Sequence, residues 1–403
     1  MDILLIRQYN PYVENGASAN RIRGLVDGLC NEGNNVTIVT VGGLLKKYEA
    51  RDFKSPNKRL HVEYLSRSDH YSSLMGRLNT YFFDNSIHFW GICKRLRKLL
   101  TQKYDIVWLT TNVTVLKLYY KEHKDLTGCT FVELNEFNDI FKGAGATGNF
   151  LQRLKAIKSN QLFIDTVGQI DLFGVMTQTL INHYKPMAKP EAKFLHLPMT
   201  VELSRFNNVS DSDTYKKPYI GYTGTMNNNK DGVDILIKAF AKIANKYPSL
   251  QLYLAGFYHY DVPMQDMIIA DFGLQKRVHR VGVLSRDQIP SFIGNASLLV
   301  LSRPDSHQAQ GGFPTKLGEY LATGKPVCVT KVGEIPEYLE DNVSAFMAEP
   351  GDVDSFSDAM NRALCDEDNA QRVGENGRKV AEIEFNANIQ AHELSEFFKE
   401  HLK

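Results

Sequence analysis

The sequence predicts an α/β protein of two domains, each built on a doubly wound parallel sheet. Short apolar runs that suit buried strands alternate with stretches of helical periodicity along the chain. At 403 residues the chain is too long for one ordinary hydrophobic core. Apolar residues make up 43% and charged residues 23%, and no apolar run approaches the ~18 residues of a membrane span. These observations indicate a globular protein with two cores.

The first predicted domain covers residues 1–203 together with 386–403. Its candidate strands, in chain order, are DILLI, NNVTIVTV, HVEYL, DIVWLT and CTFVEL, followed by the closing elements DLFGVMTQ and AKFLHLPMTV. A helix with Ile22, Leu25, Val26 and Leu29 on one face follows the first strand, and a long helical region is predicted at about 72–100. Residues 204–217 are polar and rich in turn-forming residues, so they are interpreted as an interdomain linker.

The second predicted domain covers residues 218–385 and repeats the same alternation. Its candidate strands are YIGYTG, LQLYLAG, RVHRVG, SLLVLS and PVCVT. Ligands of such sheets bind beyond the carboxyl ends of the strands, and two domains in tandem would face each other across a cleft. The last segment, about 386–402, is predicted to be an amphipathic helix.

Charge is unevenly distributed although the net charge is only +1. Residues 1–200 hold 26 Lys and Arg against 18 Asp and Glu, whereas the remainder holds 21 against 28. A basic first half and an acidic second half suggest that the domains meet different partners. The N-terminal residues resemble a strand rather than a signal peptide, and the five cysteines form no C-x-x-C pair, so a cytoplasmic protein with reduced thiols is expected.

The stretch QGGFPTKLGEYLATGKPV, residues 310–327, predicts an anion site. It follows the strand SLLVLS and precedes PVCVT, so it is interpreted as a glycine-rich loop and a helix within one βαβ unit. Pro314 suits the first turn of that helix, and Gly324 suits a left-handed end. Free N–H groups at the junction, together with the helix dipole, favour a bound anion.

The segment GFPTKLGEYLATGKPVCVTKVGEIPEYLEDNVSAFMAEPGD resembles the family-4 retaining glycosyltransferases of the GT-B fold. GYTGTMNNNKDGVDILIKAF, LYLAG and VHRVGVLSRDQI follow the order of that family's donor domain, and NEGNNVTIVT resembles its acceptor domain. The FPTKLGEYLATGKPV wording is similar to members that build bacterial surface polysaccharides. The resemblance implies two Rossmann-like domains facing a central cleft, with the C-terminal helix packing back on the first.

The resemblance also implies roles for individual residues. Glu319 matches the glutamate that holds the donor ribose hydroxyls, and Lys230 matches the lysine that binds the donor diphosphate and meets the charge of the departing nucleotide. Val281 lies where relatives read the base. The other residues that match donor-binding positions are Gly16, Thr225, Gly311, Gly312, Phe313, Pro314, Thr315 and Lys316. Without the resemblance, a solvated surface glutamate, an exposed loop lysine and an ordinary turn glycine would explain Glu319, Lys230 and Gly16 as well.

Three positions depart from the family pattern. The first glutamate of the family's pair, which touches the donor sugar, is replaced by Gly311. Thr225 stands where relatives usually have an arginine, so Lys316 and Arg303 are candidates to neutralise the phosphate charge. In the acceptor domain, ELNEF replaces a His-Asp pair, and Glu136 is the candidate for a group near the acceptor hydroxyl, with a helix cap or a surface acid as the alternative.

Other patterns carry less information. Three Asp-x-Asp patterns, at 211/213, 352/354 and 366/368, lie in polar loops or at helix starts, where N-capping explains them better than a metal site, so no metal is predicted. Aromatic and basic residues in 78–100, including Lys94, Arg95, Arg97 and Lys98, suggest peripheral contact with an anionic membrane. The alternative is a core helix with a solvated charged face, which is commoner.

The sequence therefore predicts a metal-independent, retaining glycosyltransferase of polysaccharide biosynthesis. Its expected partners are a nucleoside-diphosphate-sugar, which serves as co-substrate without any further cofactor, and a glycan or lipid-linked acceptor, with no nucleic acid. The rival hypotheses are a nucleotide-sugar 2-epimerase of the same architecture and a two-lobed sugar-binding protein.

Overall fold

The computed structural model describes residues 1–42, 44–45, 49–65, 87–100, 102–122, 128–137 and 150–402, without the side chains of 87–90, 151, 152 and 155. These residues form two compact units. Unit 1 comprises Met1–Leu197 and Gln390–Lys403, and unit 2 comprises Pro198–Ile389. The predicted helical region about 72–100 is described only from residue 87 onward, and its earlier part lies outside the described residues.

Unit 1 is built on a parallel sheet. Its strands are β1 (Asp2–Arg7), β2 (Asn35–Thr40), β3 (Leu60–Tyr64), β4 (Ile106–Leu109), β5 (Cys129–Leu134), β6 (Leu172–Val175) and β7 (Lys193–His196). Its helices are α1 (Ala17–Asn31), α2 (Glu49–Asp52), α3 (Ile87–Leu99), α4 (Val113–Glu122), α5 (Phe150–Val167) and α6 (Gln178–Tyr184), with a 3₁₀ turn at Lys185–Met187. Among the described residues the strand order is β3-β2-β1-β4-β5-β6-β7, so the direction of winding reverses between β1 and β4.

Unit 2 repeats this architecture. Its strands are β8 (Tyr219–Thr223), β9 (Gln251–Ala255), β10 (Val278–Gly282), β11 (Leu298–Leu301), β12 (Val327–Thr330) and β13 (Phe346–Ala348). Its helices are α7 (Asn228–Asp231), α8 (Val233–Ala244), α9 (Val262–Asp271), α10 (Ile289–Gly294), α11 (His307–Gly311), α12 (Thr315–Ala322), α13 (Ile335–Tyr338), α14 (Val353–Cys365) and α15 (Glu367–Glu384), after a 3₁₀ turn at Leu203–Phe206. All strands are parallel, in the order β10-β9-β8-β11-β12-β13, and the winding reverses between β8 and β11.

The predicted fold class is confirmed, because each predicted strand forms. Strands β8, β11 and β12 are buried along their whole length, as expected for parallel strands covered on both faces. Strand β13 was not predicted, because three residues are too few to show a pattern.

The last helix, α16 (Ala387–His401), begins in unit 2 and packs into unit 1, as the resemblance implied. Ala391, Leu394 and Phe398 are fully buried in the core of unit 1. The Phe398 ring meets the ring of Phe131 edge-on at 4.9 Å between centroids. The C-terminus of the chain therefore completes the core that its N-terminus begins.

The boundary between the units falls before the predicted linker 204–217. Unit 2 already starts at Pro198, and Phe206 is only 3% exposed. Tyr215 packs against Tyr219 and Phe292 in an aromatic cluster. The segment is polar in composition, but a few of its apolar side chains are buried and attach it to unit 2.

The stretch 307–311 differs from the predicted glycine-rich loop, because it forms the short helix α11. The Ser306 side chain caps that helix by accepting a hydrogen bond from the N–H of Ala309. Helix α12 then begins at Thr315, with Pro314 one residue earlier than predicted, at the N-cap position. Gly324 follows the helix with φ +70°, so the predicted left-handed end is confirmed.

Helix α3 carries the basic residues of the segment 78–100. Ile92, Cys93 and Leu96 are buried, whereas Lys94, Arg95 and Lys98 are exposed. Arg97 is exposed as well but pairs with the buried Glu122. The described part of the segment is thus an amphipathic helix with a solvated basic face, and within the described chain no helix is both long and apolar enough to cross a membrane.

Candidate functional site

Several predicted site residues of unit 2 gather where the winding of the sheet reverses. Gly224 directly follows β8, and Arg303 lies just beyond the end of β11. Lys230 lies on α7, next along the chain from β8, and Lys316 lies in the first turn of α12, between β11 and β12. Parallel strands end at a common edge, so these four residues belong to one region of the unit.

The loop between β8 and α7 is held in a fixed conformation by buried polar side chains. Asn227 caps α7 by accepting a hydrogen bond from the N–H of Lys230 at 2.8 Å. The fully buried Gln265 donates from Nε2 to the Met226 carbonyl at 3.1 Å and to Asn228 Oδ1 at 2.7 Å. Asp261 Oδ2 accepts the N–H of Asn228 at 2.8 Å. These bonds place Lys230 on a rigid turn rather than on a mobile loop.

Lys316 points its ammonium group into the edge of the sheet. Its Nζ lies 3.0 Å from Asp231 Oδ2 and donates to the Tyr222 hydroxyl at 3.4 Å. It also lies directly over Gly224, whose φ is +145°, and a Cβ at that glycine would collide with the ammonium. Glycine is therefore needed here for two reasons, the backbone conformation and the close approach of the lysine.

Lys316 lies among other charged groups. Burial lowers the pKa of Lys316, Asp231 opposes that shift, and the positive charges of Arg303 and Lys230 lower the pKa further. Three cationic groups thus lie within electrostatic reach of one another. Like charges repel more strongly in a partly dehydrated region, so an anion bound there would interact favourably with all three.

Tyr222 connects the Asp231 carboxylate to the loop between β8 and α7. Its side chain is fully buried, and its hydroxyl lies 2.7 Å from the Thr225 carbonyl and 3.1 Å from Asp231 Oδ2. Burial, with Asp231 next to it, holds the pKa of Tyr222 well above its ordinary value, so the hydroxyl keeps its proton. Thr225 contributes its backbone here, and Tyr222 and Asp231 are site residues that the sequence alone did not indicate.

Arg303 ties the chain before α12 to the sheet edge. Its Nη1 donates to the Gly312 carbonyl at 3.1 Å, and its own carbonyl accepts from Thr330 Oγ1 at 2.7 Å. The side chain is almost completely buried. Gly311 and Gly312 therefore lie at the end of α11 and just after it, beside this arginine.

Helix α12 presents an uncapped N-terminus. Pro314 makes no side-chain cap, and the first turn contains no acidic residue. The N–H of Leu317 is bonded to the Pro314 carbonyl at 2.9 Å, whereas the N–H groups of Thr315 and Lys316 precede the first intrahelical hydrogen bond. Lys316 and Glu319 are three residues apart and so share one face of the helix. The N-terminus is thus suited to an anion, with a carboxylate one turn further on.

Glu319 is one-fifth exposed and is paired with an arginine. Its Oε1 lies 2.7 Å from Nη1 of Arg205, in the 3₁₀ turn Leu203–Phe206. Sequence reasoning missed Arg205, which lies in the predicted linker, 114 residues away along the chain.

The remaining predicted residues lie elsewhere. Phe313, just before the start of α12, is buried and packs against the rings of Tyr338 and Phe385. Val281 lies in the edge strand β10, two strands from β8. In unit 1, Gly16 is the N-cap residue of α1, without a side-chain cap. Glu136 is exposed after β5, and its carbonyl accepts a hydrogen bond from Tyr184.

Two of the three Asp-x-Asp patterns cap helices. Asp352 accepts hydrogen bonds from the N–H groups of Asp354 and Ser355, and Asp366 accepts one from Asn369. Asp211 instead pairs with Lys217. In the part of the chain that the structure describes, no group of three or more His, Cys, Asp or Glu side chains could hold a metal ion.

Part of the chain is similar in sequence to a known protein family. Residues 205–380 match the family model of glycosyl transferases group 1. The chain is 23% identical over 282 residues to the amylovoran biosynthesis glycosyltransferase AmsK of Erwinia amylovora, covering 64% of this chain and 68% of that protein. It is 25% identical over 185 residues to the capsular polysaccharide biosynthesis glycosyltransferase CapM of Staphylococcus aureus, covering 46% of each.

Solved structures share the whole fold. Sucrose-phosphate synthase from Thermosynechococcus elongatus superposes with a TM-score of 0.75 at 16% identity, over 99% of this chain and 98% of that one. HepE of Anabaena, solved in complex with UDP-glucose, superposes with a TM-score of 0.67 at 15% identity, over 99% and 100%. The resemblance read from the sequence is thus confirmed: residues 205–380 match the model of the glycosyl transferase group 1 family, and the chain has the GT-B fold.

Proposed function

We propose that this protein transfers a sugar from a nucleoside-diphosphate-sugar to a hydroxyl of a glycan or lipid-linked glycan, with retention at the anomeric carbon and without a metal ion. The proposal rests first on the charges at the carboxyl edge of unit 2. Lys316 pairs with Asp231, and the positive charges of Arg303 and Lys230 act on that lysine. A diphosphate would interact favourably with these three cations, and the N–H groups at the start of α12 would add hydrogen bonds.

The carboxylate of Glu319 supports a nucleotide rather than a bare diphosphate as the ligand. It lies one helical turn beyond Lys316, on the same face of α12. An ionised carboxylate can accept hydrogen bonds from two vicinal hydroxyls, which a ribose presents. HepE, which shares the fold, has been solved with UDP and with UDP-glucose, and we extend a nucleotide-sugar donor to this chain by that likeness.

The chemistry asks the protein to stabilise a departing diphosphate. Charge grows on the phosphate oxygens as the glycosidic bond breaks, so Lys316 and Lys230 would act mainly in the transition state. Retention without a carboxylate nucleophile implies attack on the face that the diphosphate leaves, with the departing phosphate accepting the proton of the acceptor. Glu136 in unit 1 is the candidate group near the acceptor hydroxyl.

The departures from the family pattern change which residues can contact the donor. Gly311 places no carboxylate near the sugar, so the sugar must be recognised by other groups than in most relatives. Thr225 supplies no positive charge, and Lys316 and Arg303 would replace the missing arginine. Likeness to AmsK and CapM favours an acceptor in polysaccharide biosynthesis, and the exposed basic face of α3 suits an anionic acceptor or membrane surface.

The deciding experiment is a donor panel. The purified protein is incubated with UDP-, GDP- and dTDP-sugars, and nucleotide release is measured with and without a glycan acceptor. We expect release from one donor that rises strongly when acceptor is present, with an α-linked product from an α-linked donor. Interconversion of the nucleotide sugar without acceptor would show an epimerase instead. Tight binding of a sugar with no turnover would show a binding protein.

A further inference from the structure

The contact between Glu319 and Arg205 joins the segment before β8 to helix α12. Arg205 lies in the 3₁₀ turn Leu203–Phe206, which packs next to α12. Its Nη1 contacts Glu319 Oε1 at 2.7 Å. The pair is largely shielded from water, with the side chains 9% and 20% exposed. A shielded arginine–carboxylate pair is stronger and better ordered than a pair on the surface.

Arg205 is itself fixed by its surroundings. Its Nη2 donates to the Arg286 carbonyl at 2.9 Å, and its guanidinium lies 5.1 Å from the centre of the Phe206 ring. Phe206 is buried, and the Arg286 side chain pairs with Glu202 on the same segment. Both terminal nitrogens of Arg205 therefore have assigned partners, and these contacts restrict the position from which the guanidinium meets the Glu319 carboxylate.

This geometry leaves part of Glu319 available. Only Oε1 is engaged, and Oε2 has no hydrogen-bond partner among the residues that the structure describes. Each carboxylate oxygen has two acceptor positions, so Oε1 could still accept one hydroxyl hydrogen bond beside the arginine. The bond from Arg205 thus orients the carboxylate without using up its capacity for ligand.

We propose that Arg205 is a positioning residue, which sets the orientation in which Glu319 accepts the ribose hydroxyls of the donor. This inference rests on the proposed nucleotide site. A purely structural role is the competing explanation, in which the ion pair only attaches the turn Leu203–Phe206 to α12. The two explanations differ in what they predict for ligands that lack a ribose hydroxyl, because a structural tie would affect all nucleotides alike.

The test compares ribose and deoxyribose ligands. Dissociation constants are measured by calorimetry for UDP, GDP and ADP and for dUDP, dGDP and dADP, with the parent protein and with Arg205→Ala, Arg205→Lys and Arg286→Ala. The parent should prefer the ribose form of its best nucleotide by about tenfold or more, as expected for a charge-assisted hydrogen bond. Arg205→Ala should reduce that preference to about twofold, while affinity for the deoxy form changes by less than about threefold.

The other variants sharpen the result. Lysine at 205 retains one charged donor but not the planar fork, so it should restore an intermediate preference. Arg286→Ala removes the ion pair with Glu202 but leaves the backbone carbonyl that holds Arg205, so the parent preference should persist. If the alanine variant unfolds, a preference at least about threefold below that of the parent is expected from Arg205→Lys.

Two results would overturn the inference. Equal loss of affinity for ribose and deoxyribose forms in Arg205→Ala would show a structural tie, and an unchanged preference would show that Arg205 does not orient Glu319. If the parent binds none of the six nucleotides, the proposed nucleotide site itself is wrong and this inference falls with it. If both the parent and Arg205→Ala prefer the ribose form to the same extent, the positioning role alone is refuted and the proposed nucleotide site stands.

Discussion

The two units share one architecture but carry different charges at the point where each sheet reverses. In unit 1 the loops after β1 and β4 meet through neutral amides, with Asn112 Nδ2 donating to Gln8 Oε1 at 2.7 Å. The nearby Arg7 has its own carboxylate partner in Glu14 at 2.7 Å. In unit 2, Lys316 pairs with Asp231, and the positive charges of Arg303 and Lys230 act on that lysine. Among the residues that the structure describes, the same fold therefore has neutral amides at one reversal point and a cluster of cations at the other.

The units also differ in how they are completed. The described residues of unit 2 form one continuous segment, whereas unit 1 needs the last helix of the chain. The core of unit 1 contains Phe131 and Trp108 in edge-on contact at 5.2 Å, and Phe398 also contacts Phe131 edge-on at 4.9 Å. Both tryptophans of the protein, Trp90 and Trp108, lie in unit 1, so tryptophan fluorescence reports on that unit.

The largest expected effect tests this dependence on the last helix. Phe398→Ala should lower the free energy of unfolding of unit 1 by about 3–5 kcal/mol, because a fully buried ring is removed from a packed core. Denaturant titration followed by tryptophan fluorescence measures the change. The exposed Glu393 on the same helix is the matched control, and Glu393→Ala should stay within about 0.5 kcal/mol of the parent. An unaffected Phe398→Ala would mean that α16 does not support unit 1.

The next effect tests the cluster of cations around Lys316 in unit 2. Lys316→Ala should lower kcat/KM for the donor by about 10²–10³-fold, because the charge of the departing diphosphate loses its closest buried cation. Lys331, which pairs with Glu349 on the surface of the same unit, is the control for loss of one positive charge. Equal effects of Lys316→Ala and Lys331→Ala would place the diphosphate elsewhere.

A third prediction concerns the basic face of unit 1. Replacing Lys94, Arg95 and Lys98 by Gln should weaken binding to anionic vesicles by about 1 kcal/mol per residue, screened over a Debye length of about 8 Å in physiological salt. Arg97 is left in place because its loss would strand the buried Glu122. Sedimentation with phosphatidylserine vesicles measures binding, and neutral vesicles are the control. If the parent protein does not bind anionic vesicles even at low salt, this basic face is only a solvated surface.

A fourth, comparable or smaller effect concerns the ribose contact. Glu319→Ala should weaken nucleoside diphosphate binding by about 1.5–3 kcal/mol through loss of charge-assisted hydrogen bonds. Calorimetry with the best donor nucleotide gives the value, and the exposed Glu337→Ala is the control. Binding as tight as that of the parent would contradict the role assigned to Glu319.

The smallest expected effect is that of chelation. Activity should change by less than about twofold in EDTA, because lysine side chains and helix N–H groups, rather than Mg²⁺, neutralise the diphosphate. If EDTA abolishes activity and added Mg²⁺ or Mn²⁺ restores it, the Asp-x-Asp patterns become candidate metal ligands again. Activity is measured with the donor and acceptor found in the panel, before and after metal replacement.

Local patterns predicted the fold because the strands are local features. A run such as SLLVLS is buried on both faces and can be recognised from its own residues. The same holds for the helix that presents Lys316 and Glu319. Two elements are too short for their periodicity to be recognised in the sequence. These are the three-residue strand β13 and the short helix α11, which lies in a glycine-containing stretch.

The partners of the site residues could not be predicted in this way. Arg205 reaches Glu319 from 114 residues away, out of a segment whose composition indicates a linker. Asp231 could not be predicted as a site residue, because its role depends on the contact with Lys316, which only the fold brings about. Such pairings depend on which loops the sheet order brings together, and that order is a property of the whole unit.

The path of the chain through α16 has a consequence for synthesis on the ribosome. Unit 2 is a continuous segment, and near its two ends Val201 pairs with Asn386 in an isolated parallel bridge. Unit 1 is begun first but lacks Leu394 and Phe398 until the chain beyond residue 390 is translated. The later unit can therefore reach its native state before the earlier one, and a nascent chain arrested near residue 390 would expose an incomplete N-terminal core to chaperones and proteases.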